Sequence, residues 1–249
     1  LAKAIEAKAA ASKVIWTRYG ARISDLEIAS EADGLSGMKT ILAYGDSLTW
    51  GVDAENRTRH AYENRWPSVL QKALGHGVRV IAEGLNGRTT VYSDYTADCD
   101  RNGARVLPTI LHTHAPLDLV IIMLGTNDLK PVYANNAVVV GHGIKRLVSL
   151  VRNHDWPVEM ETPDILIVSP PPLCETDDPL LGPMFAGRIE ESHMLASVYA
   201  DLADELECGF FDAGSVAKTT PVDGVHMDAD NTRAVGKGLE PVVRMMLGL

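Results

Sequence analysis

From residue 38 onward the chain alternates between short unbroken apolar runs and longer segments with apolar positions three or four apart. The runs are Thr40–Tyr44, Val78–Ala82, Leu117–Leu124, Ile165–Val168 and the two-residue Phe210–Phe211. The first four do not alternate with polar residues and are bounded by polar residues, Gly or Pro, the pattern of strands buried on both faces. Between them lie helical patterns. Trp66–Leu74 stops at Gly75, and Ala137–Arg152 places Val140, Ile144, Leu147, Leu150 and Val151 on one face. Arg188–Leu206 is long and amphipathic, and Asn231–Leu247 closes the chain. Strands alternating with helices predict an α/β fold with a parallel sheet covered on both faces. In such sheets the site lies beyond the carboxyl ends of the strands. Val91–Val106 reads as an irregular stretch, longer than a strand-to-helix loop requires.

Residues 1–37 differ. The stretch 2–15 is rich in Ala, Lys and Glu and favours helix, and Gly34, Ser36 and Gly37 then break the chain before Met38. The expectation is a domain over 38–249. It is preceded by an extension over 1–37 of unassigned role, either a helical arm or sequence upstream of the domain proper.

Composition narrows the function. Of 249 residues 46% are hydrophobic and 22% charged, enough apolar material for a substantial core. Lys and Arg number 23 against 33 Asp and Glu, a net charge of −10, with no basic block. Nucleic acid is therefore not an expected partner, because binding phosphates needs clustered cations. Cys99, Cys174 and Cys208 lie far apart and form no CxxC pair, which fits free thiols in a reducing compartment. No apolar run approaches the roughly 20 residues that span a bilayer. Lys3, Glu6, Lys8 and Lys13 interrupt the N-terminus where a secretory signal would be apolar. The expected location is the cytoplasm, with no membrane partner.

The chemistry gathers at strand ends. Tyr44-Gly45-Asp46-Ser47-Leu48 places a Ser directly after the first strand, where it either caps a helix or stands exposed as a nucleophile with the helix dipole behind it. Glu83-Gly84-Leu85-Asn86-Gly87 follows the second strand, and its glycines allow a backbone N–H to approach a ligand. Gly125-Thr126-Asn127-Asp128 follows the third, with a carboxamide able to donate to an oxyanion or to form a turn. Asp223-Gly224-Val225-His226 precedes the last helix. A carboxylate three residues before an imidazole can fix its tautomer, as a general base requires. Each segment alone has an ordinary structural explanation; their order and joint occurrence do not.

Together these four blocks resemble those of the SGNH, or GDSL-type, hydrolases over residues 38–249. Gly45–Gly51, part of Gly87–Thr90, Pro116–Lys130, Ser169–Leu173 and Phe210–Val216 are further similar to a subgroup, the bacterial arylesterases and the mycobacterial acyltransferase/perhydrolase. The resemblance implies a three-layer flavodoxin-like fold around a five-stranded parallel sheet. It implies a triad of Ser47, His226 and Asp223, and an oxyanion hole from the Ser47 N–H, the Gly87 N–H and the Asn127 side chain. It implies no cofactor, short-chain acyl esters as small-molecule substrates, acyl transfer to alcohols or hydrogen peroxide beside hydrolysis, and a homo-oligomer, with an octamer as one form. Trp50 and Val52 are candidate pocket residues. The sequence departs from the subgroup in two places. Asn86-Gly87 stands where Ser-Ala is usual, and Val52 stands where the mycobacterial enzyme has a second Trp.

Other motifs read as structural. His112-x-His114 lacks a third ligand at metal-binding spacing, so no metal is expected. Gly141-His142-Gly143 lacks the context of a dinucleotide site. Asp46 and Asp128 read as residues that orient backbone. The alternatives to an arylesterase are a carbohydrate acetylesterase or a lysophospholipase/thioesterase using the same residues, and, outside enzymes, a non-catalytic binding module.

Overall fold

In the computed structural model, which describes residues 37–133 and 135–249, Ile41 and Ala43 pack on one side of a sheet and Leu42 and Tyr44 on the other. The same division runs through Leu119–Met123 and residues 165–169, which is why these runs do not alternate with polar residues, whereas Val78–Gly84, expected to be buried on both faces, lies at the sheet edge with only Val78 buried. Five strands, β1 (Lys39–Gly45), β4 (Val78–Gly84), β5 (Leu119–Met123), β6 (Asp164–Ser169) and β7 (Gly209–Asp212), form one sheet in the order β4-β1-β5-β6-β7. All four pairings are parallel. A two-stranded hairpin, β2 (Val52–Asp53) with β3 (Thr58–Arg59), stands apart from it and was not evident in the apolar pattern.

Helices cover both faces. On one side α3 (Gly103–His114), α4 (Ala137–Arg152) and α6 (Ile189–Glu205) bring Leu107, Ile144 and Tyr199 onto Leu42, Val120 and Ile167. On the other, α2 (Trp66–Leu74) and α7 (Ala229–Leu247) bring Trp66, Leu70, Val235 and Leu239 onto Ile41, Ile121 and Leu166. The expected three-layer α/β architecture with a five-stranded parallel sheet is the observed one. Phe210–Phe211 lies in the half-buried edge strand β7.

Two sequence readings need correction. The stretch Val91–Val106 is not irregular throughout, because α3 begins at Gly103 and its N-terminus is capped by Asn102, whose side chain accepts from the Arg105 N–H at 3.2 Å. Pro108 inside α3 hid the helix, since proline removes a helical donor. The last helix starts two residues before Asn231, where Asp228 accepts from the Asn231 N–H at 2.8 Å as its N-cap. The extension expected over 1–37 falls, up to residue 36, outside the described residues.

Candidate active site

Ser47 opens the short helix α1 (Ser47–Trp50), which lies across the ends of β1 and β4. Two glycines make that position available. Gly45 and Gly84 are paired in register, and a Cβ on them would sit 2.0 Å from Thr49 Oγ1 and 2.2 Å from the Trp50 nitrogen. Asp46 caps the helix by accepting from the Leu48 N–H at 2.9 Å. The Ser47 N–H, as the first of the helix, has no partner within it.

The other three segments converge on Ser47. His226 Nε2 lies 2.9 Å from Ser47 Oγ, and His226 Nδ1 lies 2.6 Å from Asp223 Oδ2. Asp223 Oδ1 accepts from the backbone N–H groups of Val225 and His226 at 3.0 and 2.9 Å, so the carboxylate fixes both its own loop and the ring. Burial alone would raise the Asp223 pKa. The hydrogen bond and charge of His226, with those two N–H groups, outweigh it and hold the carboxyl below its usual range. Ser47, Asp223 and Asn127 are all buried.

Gly87 has φ +80°, a conformation that favours glycine, and lines the same cavity as Ser47 and Asn127. Asn127 sits in a 3-10 turn, Thr126–Leu129, entered through Gly125 at φ +122°. A Cβ at Gly125 would lie 2.1 Å from Tyr199 Oη, which itself donates to the Leu124 carbonyl at 2.9 Å. The Asn127 amide already has two acceptors, Asp46 Oδ2 and the Arg88 carbonyl, both at 3.2 Å. These bonds are at the long end of the normal range. They also fix the carboxamide with its NH₂ end toward Asp46 and the Arg88 carbonyl.

A cavity of about 170 Å³ joins Ser47, Gly87, Asn127 and His226 with Val52 and Phe185 on its walls. A second, of about 320 Å³, is lined by Trp50, Val52, Asn86, Leu180 and His226. Both candidate pocket residues therefore face this region, and Val52 faces both cavities. The Trp50 ring is held in place by the Arg59 guanidinium, 4.4 Å from its centroid. Among the described residues no group of three His, Cys, Asp or Glu side chains is placed to hold a metal ion. His114 instead lies 2.8 Å from Glu83, and His112 packs edge-on to His154.

One buried feature, Arg88, escaped the sequence reading, and the partners of two others, Asp46 and Asp128, were not evident from it. Arg88, 3% exposed, donates from Nη1 to the carbonyls of Gly45 and Glu83 and lies 4.1 Å from the centre of the Tyr44 ring. It ties together the ends of β1 and β4 beneath the turn of Ser47. Asp46 and Asp128 are both fully buried; desolvation lifts Asp46 to about 6 and Asp128 to about 7. Asp128 holds the Thr90 N–H and hydroxyl, tying the turn of Asn127 to the turn of Gly87. Only a signal linking positions far apart in sequence could have found these contacts.

A Ser–His–Asp hydrogen-bonded chain at the carboxyl ends of a parallel sheet is the arrangement of a serine hydrolase. The model of the GDSL-like lipase/acylhydrolase family matches residues 43–235. Among solved structures, a carbohydrate acetylesterase family member from Sinorhizobium meliloti is 71% identical, covering 85% of this chain and 100% of its own, with a TM-score of 0.84. A putative arylesterase from Agrobacterium tumefaciens is 49% identical, covering 84% and 100%, with a TM-score of 0.80. The M. smegmatis aryl esterase is 43% identical, again covering 84% and 100%, with a TM-score of 0.80. No curated protein matches the chain. The chain belongs to the GDSL-like lipase/acylhydrolase family and is an ester hydrolase of that type. No described helix is long and apolar enough to cross a membrane.

Proposed function

We propose that the domain over 38–249 hydrolyses short-chain acyl esters through an acyl-enzyme on Ser47, in the manner of an arylesterase. The observation that carries the assignment of residues is the continuous chain Asp223–His226–Ser47, with links of 2.6 and 2.9 Å. His226 Nε2 takes the Ser47 proton as Oγ attacks the ester carbonyl. Asp223 holds the Nδ1 proton and stabilises the imidazolium. The Ser47 and Gly87 N–H groups and the Asn127 amide receive the oxyanion, the amide loosening one of its long bonds to do so. His226 then protonates the departing alcohol. Water, activated by the same imidazole, releases the acid; an alcohol or hydrogen peroxide in its place gives transfer. No step calls for a cofactor.

A second reading, a carbohydrate acetylesterase on the same residues, is favoured by the 71% identity to the S. meliloti protein. The two part on the leaving group. A panel of aryl acetates, acetylated sugars and acyl thioesters at matched concentration distinguishes them. The arylesterase reading expects the highest kcat/KM on aryl acetates, and a preference for the sugar esters would replace it with the second.

The proposal extends to a cytoplasmic homo-oligomer, the octamer included. Tyr95 and Val132, 92% and 79% exposed, support it as apolar surface beside the active-site side. Light scattering should give a multiple of 26.9 kDa, and a single species of that mass at micromolar concentration would refute association.

A further inference from the structure

The reaction just described leaves one cation of the site without a task. Lys130 directly follows the turn that carries Asn127, so ammonium and amide ride on one short piece of chain. It lines the 170 Å³ cavity of Ser47 and, on its other side, a cleft of about 600 Å³ with Arg101, Tyr95 and Tyr133. Among the described residues its ammonium has no hydrogen-bonded or ion-paired partner. It stands 5.9 Å from the centre of the Phe185 ring. Burial, and then the charge of Arg101, push its pKa down.

Arg101 adds to the imbalance. Its Nη1 pairs with Asp94 at 2.9 Å, but its Nε is buried without an acceptor. Its guanidinium packs where a Cβ on Gly87 would be, about 3.0 Å from Cδ and Nε. On the side of Gly87 and Asn127, Asp94 is the carboxylate that contacts these two cations, and it pairs with Arg101; Asp46 and Asp128, buried behind the Asn127 turn, act on Lys130 only through space. Across the mouth the signs reverse. The 320 Å³ cavity carries Asp53, Asp178 and Asp223 against Arg57, which pairs with Asp178 at 3.2 Å. A half-buried cation with no anion in contact is poorly solvated, and a ligand that brings one restores what burial removed.

We propose that Lys130 is a specificity-determining residue for esters bearing a carboxylate, which its ammonium binds, with Arg101 nearby, while the ester carbonyl lies over Ser47. The inference rests on the assignment of Ser47 as nucleophile. The carboxylate can belong to the acyl half or to the alcohol half, and matched substrates separate these sources.

The experiment compares kcat/KM for 4-nitrophenyl hexanoate with mono-4-nitrophenyl adipate, and for phenyl acetate with 3-acetoxybenzoate. The charged member of one pair should be preferred about tenfold or more, the range of a hydrogen bond to a charged group. The pair that responds identifies the half that carries the anion. The preference should vanish in Lys130→Met and persist in Lys130→Arg. The readout is a ratio within each protein, so a general loss of rate in a variant cancels. No preference in either pair, or a preference that survives Lys130→Met, would overturn the proposal while turnover of the neutral esters leaves the esterase intact. Absence of turnover on both neutral esters would overturn the esterase reading and this one with it.

Discussion

The Asp46 carboxylate accepts from the Asn127 amide at 3.2 Å, so the residue beside Ser47 also sets the orientation of the neighbouring carboxamide. With its other oxygen Asp46 caps the helix that begins at Ser47. One buried side chain therefore joins the position of Ser47 to the direction of the Asn127 donor. Asp46→Asn keeps the volume and can still cap, but it replaces an acceptor facing Asn127 by an uncharged group able to turn either way. Its kcat should fall roughly tenfold or more with KM little changed, the pattern of a lost transition-state interaction. A change confined to KM would show that Asp46 acts on substrate binding instead.

Asn127→Ala removes the donor itself. Loss of one such donor costs about 10²–10³ in kcat. The far-ultraviolet circular dichroism should stay the same. A variant with unaltered kcat would remove Asn127 from the oxyanion hole and leave it as the link between Asp46 and the Arg88 carbonyl.

Asp128 gives a pH dependence of stability. Burial raises its pKa from 3.8 to about 7, so the folded protein keeps a proton that the unfolded chain releases near pH 4. Its contribution to stability is full below pH 3.8 and is lost as pH rises through about 7. In Asp128→Asn, which cannot ionise, this contribution to the slope disappears. Urea midpoints at pH 5 and pH 8 test it: the drop between them should be smaller in Asp128→Asn than in the natural protein. An equal drop in both would mean that Asp128 is ionised in the fold across this range.

The sheet was legible because every central strand is apolar on both faces, a pattern local to each run. The site was legible for a related reason. Ser47, Gly87 and Asn127 each sit just past a strand end beside glycine, and Asp223 and His226 share one turn. What could not be read lies between distant segments. Arg88 against Gly45, Asp128 against Thr90, and Lys130 beside Arg101 depend on how three loops fold onto one another. Helix α3 was missed for a local reason, Pro108 in its middle. The hairpin at Val52 is two residues to a strand, too short for any alternation to register.

Val52 bears on what enters the site, because it lines both cavities beside His226. Val52→Trp would fill part of that space and reduce the room for water near an acyl group on Ser47. The natural protein should give mainly acid from a vinyl ester in dilute alcohol. Val52→Trp should raise the ratio of transester to acid and shorten the preferred acyl chain. Unmoved ratio and chain preference would mean that this wall does not govern access to the acyl-enzyme.

The central claim is that Ser47 carries the acyl group. A fluorophosphonate forms a stable adduct with a serine activated as His226 and Asp223 are placed to activate this one. Intact-protein and peptide mass spectrometry after brief exposure measures the adduct and its position. One adduct per chain is expected, on Ser47, with aryl acetate turnover lost in proportion to labelling and no adduct in Ser47→Ala. Labelling of a different serine, or full aryl acetate turnover in Ser47→Ala, would contradict the account.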